Sequence, residues 1–121
     1  MSQKELGLAV IGSGRIGSLR AILASGHPAV NYLGVSDINI ENAKKLAAKS
    51  NAQKFTDDNH ELISDPNVNV VIVSTSEHEH FDSVMHALEL GKPVLVEKPI
   101  ALSVDEADKM IKKSEETGTL F

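Results

Sequence analysis

Two periodicities alternate along the chain. Leu6 to Ile11 is a short apolar run ending in glycine, and from Arg15 to Ser25 the apolar residues Ile16, Leu19 and Leu23 recur on one helical face. Asn31 to Ser36, carrying Tyr32, Leu33 and Val35, predicts a second strand. Asn39 to Lys49 predicts a second helix with Ile40, Ala43, Leu46 and Ala47 turned inward. Lys54-Phe55 is expected as a short third strand, followed by a short helix from Asp58 to Ser64 that stops near Pro66. The pair Asp57-Asp58 reads as its cap. Val68 to Ser74 is the most β-branched stretch, apolar at nearly every position, as a strand covered on both faces requires. Ser76 with Glu79 forms a capping-box pattern ahead of a helix in which Phe81, Val84, Met85 and Leu88 repeat until Gly91. Val94 to Val96 predicts a fifth strand. Ser103 with Glu106 opens a last helix, with Val104, Ala107, Met110 and Ile111 inward as far as Gly118, and Thr119-Leu120-Phe121 reads as a final strand cut short. Strands alternating with helices of about 10–15 residues specify βαβ units. The expected fold is α/β, a doubly wound parallel sheet in a single domain spanning residues 1–121.

Composition narrows the function classes. The chain has 121 residues, no cysteine and a net charge of −5. That length suits one domain, and the missing thiols exclude disulfides, thiolate metal sites and a cysteine nucleophile. Residues 1–60 carry a charge of +2 and residues 61–121 a charge of −7. Phosphate backbones are bound by basic patches, so nucleic acid is not an expected partner. No apolar run approaches the ~18 residues of a membrane span, and the apolar stretch after residue 5 is too short for a signal peptide core. The expected setting is cytoplasmic, without a membrane partner.

The candidate chemistry starts at Gly12-Ser13-Gly14-Arg15-Ile16-Gly17, which matches G-x-G-x-x-G where a strand ends and a helix opens. Gly12 permits the tight turn, Gly14 lets a pyrophosphate approach the backbone, and Gly17 lets the helix pack closely on the strand. The helix start offers unpaired N–H donors to phosphate. A mononucleotide P-loop has related spacing, but Ser18 stands where its lysine would be, which disfavours ATP or GTP hydrolysis. Asp37 follows Gly17 by twenty positions, at the end of the second strand. An acid there accepts hydrogen bonds from both adenosine ribose hydroxyls and repels a 2′-phosphate by roughly 4 kcal/mol at 4 Å and an effective dielectric of 20. Ile38 and Asn39 follow it, with no cation before Lys44. NAD is therefore expected over NADP, with Arg15 the residue that could reach a 2′-phosphate. The alternative for Asp37 is a turn or helix-capping residue.

Two further segments, Val73-Ser74-Thr75-Ser76-Glu77-His78-Glu79-His80 and Gly91-Lys92-Pro93-Val94-Leu95-Val96-Glu97-Lys98-Pro99, complete a pattern. Together with the glycine loop and Asp37, the chain resembles the N-terminal Rossmann domain of the glucose–fructose oxidoreductase / inositol dehydrogenase / rhizopine catabolism family of NAD(P)-dependent oxidoreductases. The resemblance implies that Gly12, Ser13, Gly14, Arg15, Ile16 and Gly17 line the pyrophosphate and that Asp37 holds the ribose. It implies that Ser74, Thr75, Ser76 and His80 line the cofactor beside the fourth strand, and that Glu97 and Lys98 sit by the nicotinamide ribose and ring, with Lys98 the catalytic residue. Ser76 stands where the family usually has proline. Lys98 would orient the substrate hydroxyl and stabilise developing negative charge; the alternative is a surface partner of Glu97.

The function implied is hydride transfer between a sugar, inositol or similar polyol and nicotinamide. The family's second, substrate-binding domain is absent from this sequence, so the piece is expected to be inactive alone, and the full-length protein is expected to be a homo-oligomer. Two alternatives stand beside this: a nucleotide-binding module without turnover, and a related Rossmann reductase with a non-sugar substrate. No metal is expected, since His78, His80 and His86 do not share a helix face.

Overall fold

The computed structural model describes residues 6–12, 15–75, 77–96 and 103–121. Five strands, β1 (Leu6–Ile11), β2 (Val30–Ser36), β3 (Lys54–Thr56), β4 (Val70–Val73) and β5 (Val94–Val96), alternate with five helices. The helices are α1 (Arg15–Ser25), α2 (Ile40–Ser50), α3 (Asn59–Ile63), α4 (Glu77–Glu89) and α5 (Val104–Thr117). The strands form one sheet in the order β3-β2-β1-β4-β5, and every pairing is parallel. Parallel neighbours need crossovers, and the crossovers are the helices, which cover both faces. This is the expected doubly wound α/β fold.

Side chains of a strand alternate between faces, and β1 shows why its sequence is apolar throughout. Ala9 and Ile11 enter one core with Val71, Val73, Leu62, Ile63, Val84, Leu88 and Met110. Leu8 and Val10 enter the other, with Leu33, Val35, Ala21, Leu46 and Ala47. β1 thus lies between two cores and holds the middle of the sheet.

Several boundaries and faces differ from expectation. β2 begins one residue earlier, at Val30, and Asn39 caps α2 rather than joining it, its side chain accepting from the Glu41 N–H at 3.0 Å. The fourth strand is shorter than Val68 to Ser74; before it, Asn69 donates its N–H to the Gly7 carbonyl at 2.7 Å and its side chain accepts from the Gly7 N–H at 3.0 Å. The expected caps of α3 and α5 hold: Asp58 accepts from the Glu61 N–H at 3.1 Å, and Ser103 from the Glu106 N–H at 3.2 Å. Thr119-Leu120-Phe121 is not a strand, although the Leu120 carbonyl accepts from the Val94 N–H at 3.0 Å along the outer edge of β5.

Leu23 on α1 and two residues of α5 face outward, against expectation. On α1, Leu23 is 64% exposed while Gly17 and Ala21 are buried. The helix lies close to the sheet through these small residues, with Ile22 and Leu23 turned outward; the side chains of Ile16 and Leu19 lie outside those described. On α5, Met110 is fully buried but Val104 and Ile111 are 77% and 49% exposed. Ile40, expected inward on α2, is also exposed.

Candidate dinucleotide site

Parallel strands direct all their carboxyl ends to one rim, and that rim gathers the polar residues that terminate the apolar runs. Gly12 follows β1, Asp37 follows β2, Thr56 ends β3 and Ser74 follows β4. The order β2-β1-β4 in the sheet places Asp37, Gly12 and Ser74 side by side.

The turn at Gly12 admits no side chain. Its φ is +98°, and a Cβ there would lie 2.8 Å from the Ser74 carbonyl carbon and oxygen and 2.9 Å from the Thr75 nitrogen. A Cβ at Gly17 would lie 2.0 Å from the Gly12 carbonyl oxygen. The first turn of α1 is therefore pressed against the end of β1, with its N–H groups at the rim. The Ser74 N–H donates to the Ile11 carbonyl at 2.7 Å, which fixes the β4 end to the same turn. The Ser74 hydroxyl is buried and has no hydrogen-bond partner among the described residues. An unpaired buried hydroxyl is costly, which makes this position one that a ligand atom would satisfy.

Asp37 meets the rim in a defined turn. Its N–H donates to the Thr56 carbonyl at 3.2 Å, and its Oδ1 accepts from the Asn39 N–H at 2.8 Å. The turn role weighed in the sequence is thus present, and it orients the carboxylate at the rim. Ile38, between the two, is 71% exposed.

Beneath these residues lies a junction that sequence reasoning missed. Ser36 is fully buried; its carbonyl accepts from the Gly12 N–H at 2.8 Å, and its hydroxyl donates to Asn59 Oδ1 at 2.7 Å. Thr56 Oγ1 accepts from the Asp58 N–H at 3.1 Å and donates to Glu61 at 3.3 Å. The signal available in the sequence was position: Ser36 and Thr56 are polar residues closing apolar strands. Asn59 carried no such mark. Further down the same helices, the His60 and His86 rings stack at 4.3 Å, with His60 on Asp82 at 2.5 Å; burial lowers the His86 pKa first, with the neighbouring His60 adding to it.

Charge where β3 meets this rim is negative. Asp57, Asp58 and Glu61 follow Thr56, and the Lys54 ammonium, at the start of β3, is held by Glu61 at 3.1 Å and Asp65 at 3.6 Å. The Glu61 hydrogen bond is the main reason its pKa rises, against the opposing effect of burial.

Not every expected residue can be located. Arg15 and Ile16 begin α1 and His80 lies in α4, but only their backbone is described. Ser13, Gly14, Ser76, Glu97 and Lys98 lie outside the described residues. No helix among the described residues is long and apolar enough to cross a membrane.

The clearance at Gly12 and Gly17 and the orphaned Ser74 hydroxyl fit a diphosphate lying across the turn, with Asp37 one strand away. Comparisons with known proteins agree. The chain is 32% identical over 119 residues to the scyllo-inositol 2-dehydrogenase (NAD(+)) of Bacillus subtilis, covering 98% of this chain and 35% of that protein. It is 33% identical over 115 residues to the myo-inositol 2-dehydrogenase of Thermotoga maritima, covering 94% and 34%. The crystal structure of GenD2 from gentamicin A biosynthesis, in complex with NAD, superposes with a TM-score of 0.89 at 29% identity, covering 98% of this chain and 34% of that one. The chain spans about a third of the length of the relatives it matches. Residues 6–121 match the family described as the oxidoreductase family, NAD-binding Rossmann fold, and with the rim geometry above this chain belongs to it, among the glucose–fructose oxidoreductase / inositol dehydrogenase / rhizopine catabolism proteins.

Proposed function

We propose that residues 1–121 are the dinucleotide-binding domain of an oxidoreductase that moves hydride between a sugar, inositol or similar polyol and nicotinamide. The observation that carries the proposal is the convergence on one rim of the Gly12 turn, the Asp37 carboxylate and the unpartnered Ser74 hydroxyl, on three adjacent strands. The inositol dehydrogenases among its relatives support the substrate class.

The roles follow from chemistry. The glycine turn Gly12 to Gly17 and the first N–H groups of α1 bind the diphosphate. Asp37 accepts from the ribose hydroxyls, and Ser74 and Thr75, with Ser76 and His80, line the path toward the nicotinamide end. The acidic run Asp57, Asp58 and Glu61 supports NAD over NADP, since a 2′-phosphate beside Asp37 would meet further carboxylates, with Arg15 the residue that could offset them. Bound cofactor supplies the hydride-accepting C4 of its nicotinamide. Glu97 orients the nicotinamide ribose. Lys98 orients the substrate hydroxyl and offsets the charge that grows on its oxygen.

The chain spans about a third of its relatives' length, and residues 1–121 taken alone bind cofactor without turning over polyol. The full-length enzyme is a cytoplasmic homo-oligomer in this proposal. Calorimetric titration of this chain is expected to show NAD and NADH binding, with NADP at least about tenfold weaker. No heat at millimolar NAD overturns the proposal, and polyol-dependent NADH formation by residues 1–121 overturns the division of labour.

A further inference from the structure

The junction at Ser36 assigns work to a residue that neither the motif nor the resemblance marks. Asn59 is partly exposed, and among the described residues its side chain makes one bond, in which its Oδ1 accepts from the buried Ser36 hydroxyl at 2.7 Å. With Oδ1 accepting from Ser36, the Nδ2 end of the amide faces away from that bond. The Nδ2 group, with two N–H donors, has no hydrogen-bond partner among the described residues. Ser36 is also the residue whose carbonyl holds the Gly12 N–H and whose neighbour is Asp37. The amide is therefore tied to the same buried point as the diphosphate turn and the sugar carboxylate.

The mount is rigid. Asp37 N–H is fixed to the Thr56 carbonyl, Thr56 Oγ1 holds the Asp58 N–H, and Asp58 holds the Glu61 N–H. Thr56 and Asp58, which lead to Asn59, are pinned, and the Ser36 bond holds its side chain, so the amide is pre-organised before any ligand arrives. What it offers is complementary to Asp37. A carboxylate only accepts, so the sugar hydroxyls must spend their protons on it, leaving their oxygen lone pairs to be met by a donor. A neutral amide meets them without adding the cation that would invite a 2′-phosphate.

We propose that Asn59 is a specificity-determining residue of the dinucleotide site, its Nδ2 donating to the 2′-hydroxyl oxygen of the adenosine sugar while Ser36 holds its other end. The inference rests on the cofactor-binding reading above. It concerns the side-chain amide, not the end of the short helix that Asn59 begins.

The test compares ADP with 2′-deoxy-ADP, which carry the same diphosphate charge, in this chain and two variants. Asn59→Asp keeps the acceptor for Ser36 and loses the donors. Asn59→Leu is close in volume, neutral, and loses both. The unaltered chain is expected to prefer ADP by about tenfold or more, as a site built to bond a hydroxyl rejects the analogue lacking it. Both variants are expected to narrow that ratio at least about threefold; narrowing in Asn59→Asp is sufficient if the Leu variant fails to fold. An unchanged ratio in Asn59→Asp overturns the inference, and so does equal affinity of the unaltered chain for the two nucleotides. If the unaltered chain binds neither ADP nor NAD, the underlying reading fails instead, and retention of NAD affinity in Asp37→Ala points to the same failure.

Discussion

The two ends of the sheet are built from the same strands and solve opposite problems. At the amino end, polar side chains close on one another. The Tyr32 hydroxyl donates to Asp65 at 2.7 Å, Lys54 pairs with the same carboxylate at 3.6 Å, and the Asn67 N–H donates to its other oxygen at 2.8 Å. Lys92 donates to the Ile63 carbonyl and to the Asp65 carbonyl, which closes the end of α3. At the carboxyl end, Gly12 allows no side chain, Ser74 keeps a buried hydroxyl unpaired, and the Asn59 donors point to no protein partner among the described residues. One end pairs its polar groups with one another, while the other leaves the Ser74 hydroxyl and the Asn59 donors without a partner among the described residues. The lesson is that satisfaction, more than polarity, separates a structural end of a parallel sheet from a functional one.

Substitutions can break this contrast, beginning with the largest. Gly12→Ala puts a Cβ within 2.8 Å of the Ser74 backbone at a φ of +98°. It is expected to cost about 3 kcal/mol or more and to abolish NAD binding, read by thermal unfolding and calorimetry. A variant that binds NAD normally would show that the turn is only structural.

Asp37→Ala is next. Losing bonds to a charged acceptor should weaken NAD about 10- to 100-fold, while the lost turn costs about 1 kcal/mol of stability. A large stability loss with unchanged affinity would move Asp37 to the structural side of the comparison.

Asp65→Asn sharpens the amino end. Burial alone would raise the Asp65 pKa, but the Asn67 N–H, the Tyr32 hydroxyl and Lys54 together hold it below the ordinary value. Its contribution is therefore present above the ordinary carboxylate range and lost as pH falls through the lowered value. The variant should lose about 1–3 kcal/mol at neutral pH, and its stability should depend less on acid. Burial first, and then Asp65, push the Tyr32 hydroxyl up to about 12, so its share is present below pH ~10 and lost as pH rises toward that value. Tyr32→Phe should flatten that alkaline limb in urea titrations run at several pH values. NAD affinity should be unmoved by either change.

The smallest effect has the most telling sign. Ser74→Ala removes a buried hydroxyl that has no partner. The ligand-free chain should hold its stability or gain about 1 kcal/mol, while NAD binds roughly fivefold more weakly. A loss of stability without loss of affinity would mean the hydroxyl serves the fold.

The alternation of periods, the glycine turn and the position of Asp37 were legible because each follows from local rules: a strand covered twice is apolar throughout, and a turn that admits no Cβ is glycine. The inner face of α1 was not, since hydrophobicity favours Leu23 while close approach to the sheet favours Gly17 and Ala21. Val104 and Ile111 were misplaced for a related reason, as a face centred on Met110 leaves its flanking apolar residues outside. The Ser36–Asn59 bond joins residues 23 apart through a three-dimensional meeting that no spacing rule encodes.

The central position of β1 also governs the order of assembly. Every strand pair is parallel, so none can close as a hairpin, and contacts distant in sequence slow folding. The Gly12 turn leans on Ser74, 62 residues later. At ~5–20 residues per second of synthesis, the first half of the grip waits about 3 to 12 s for its neighbour to emerge, and until then half of the central strand has no mate.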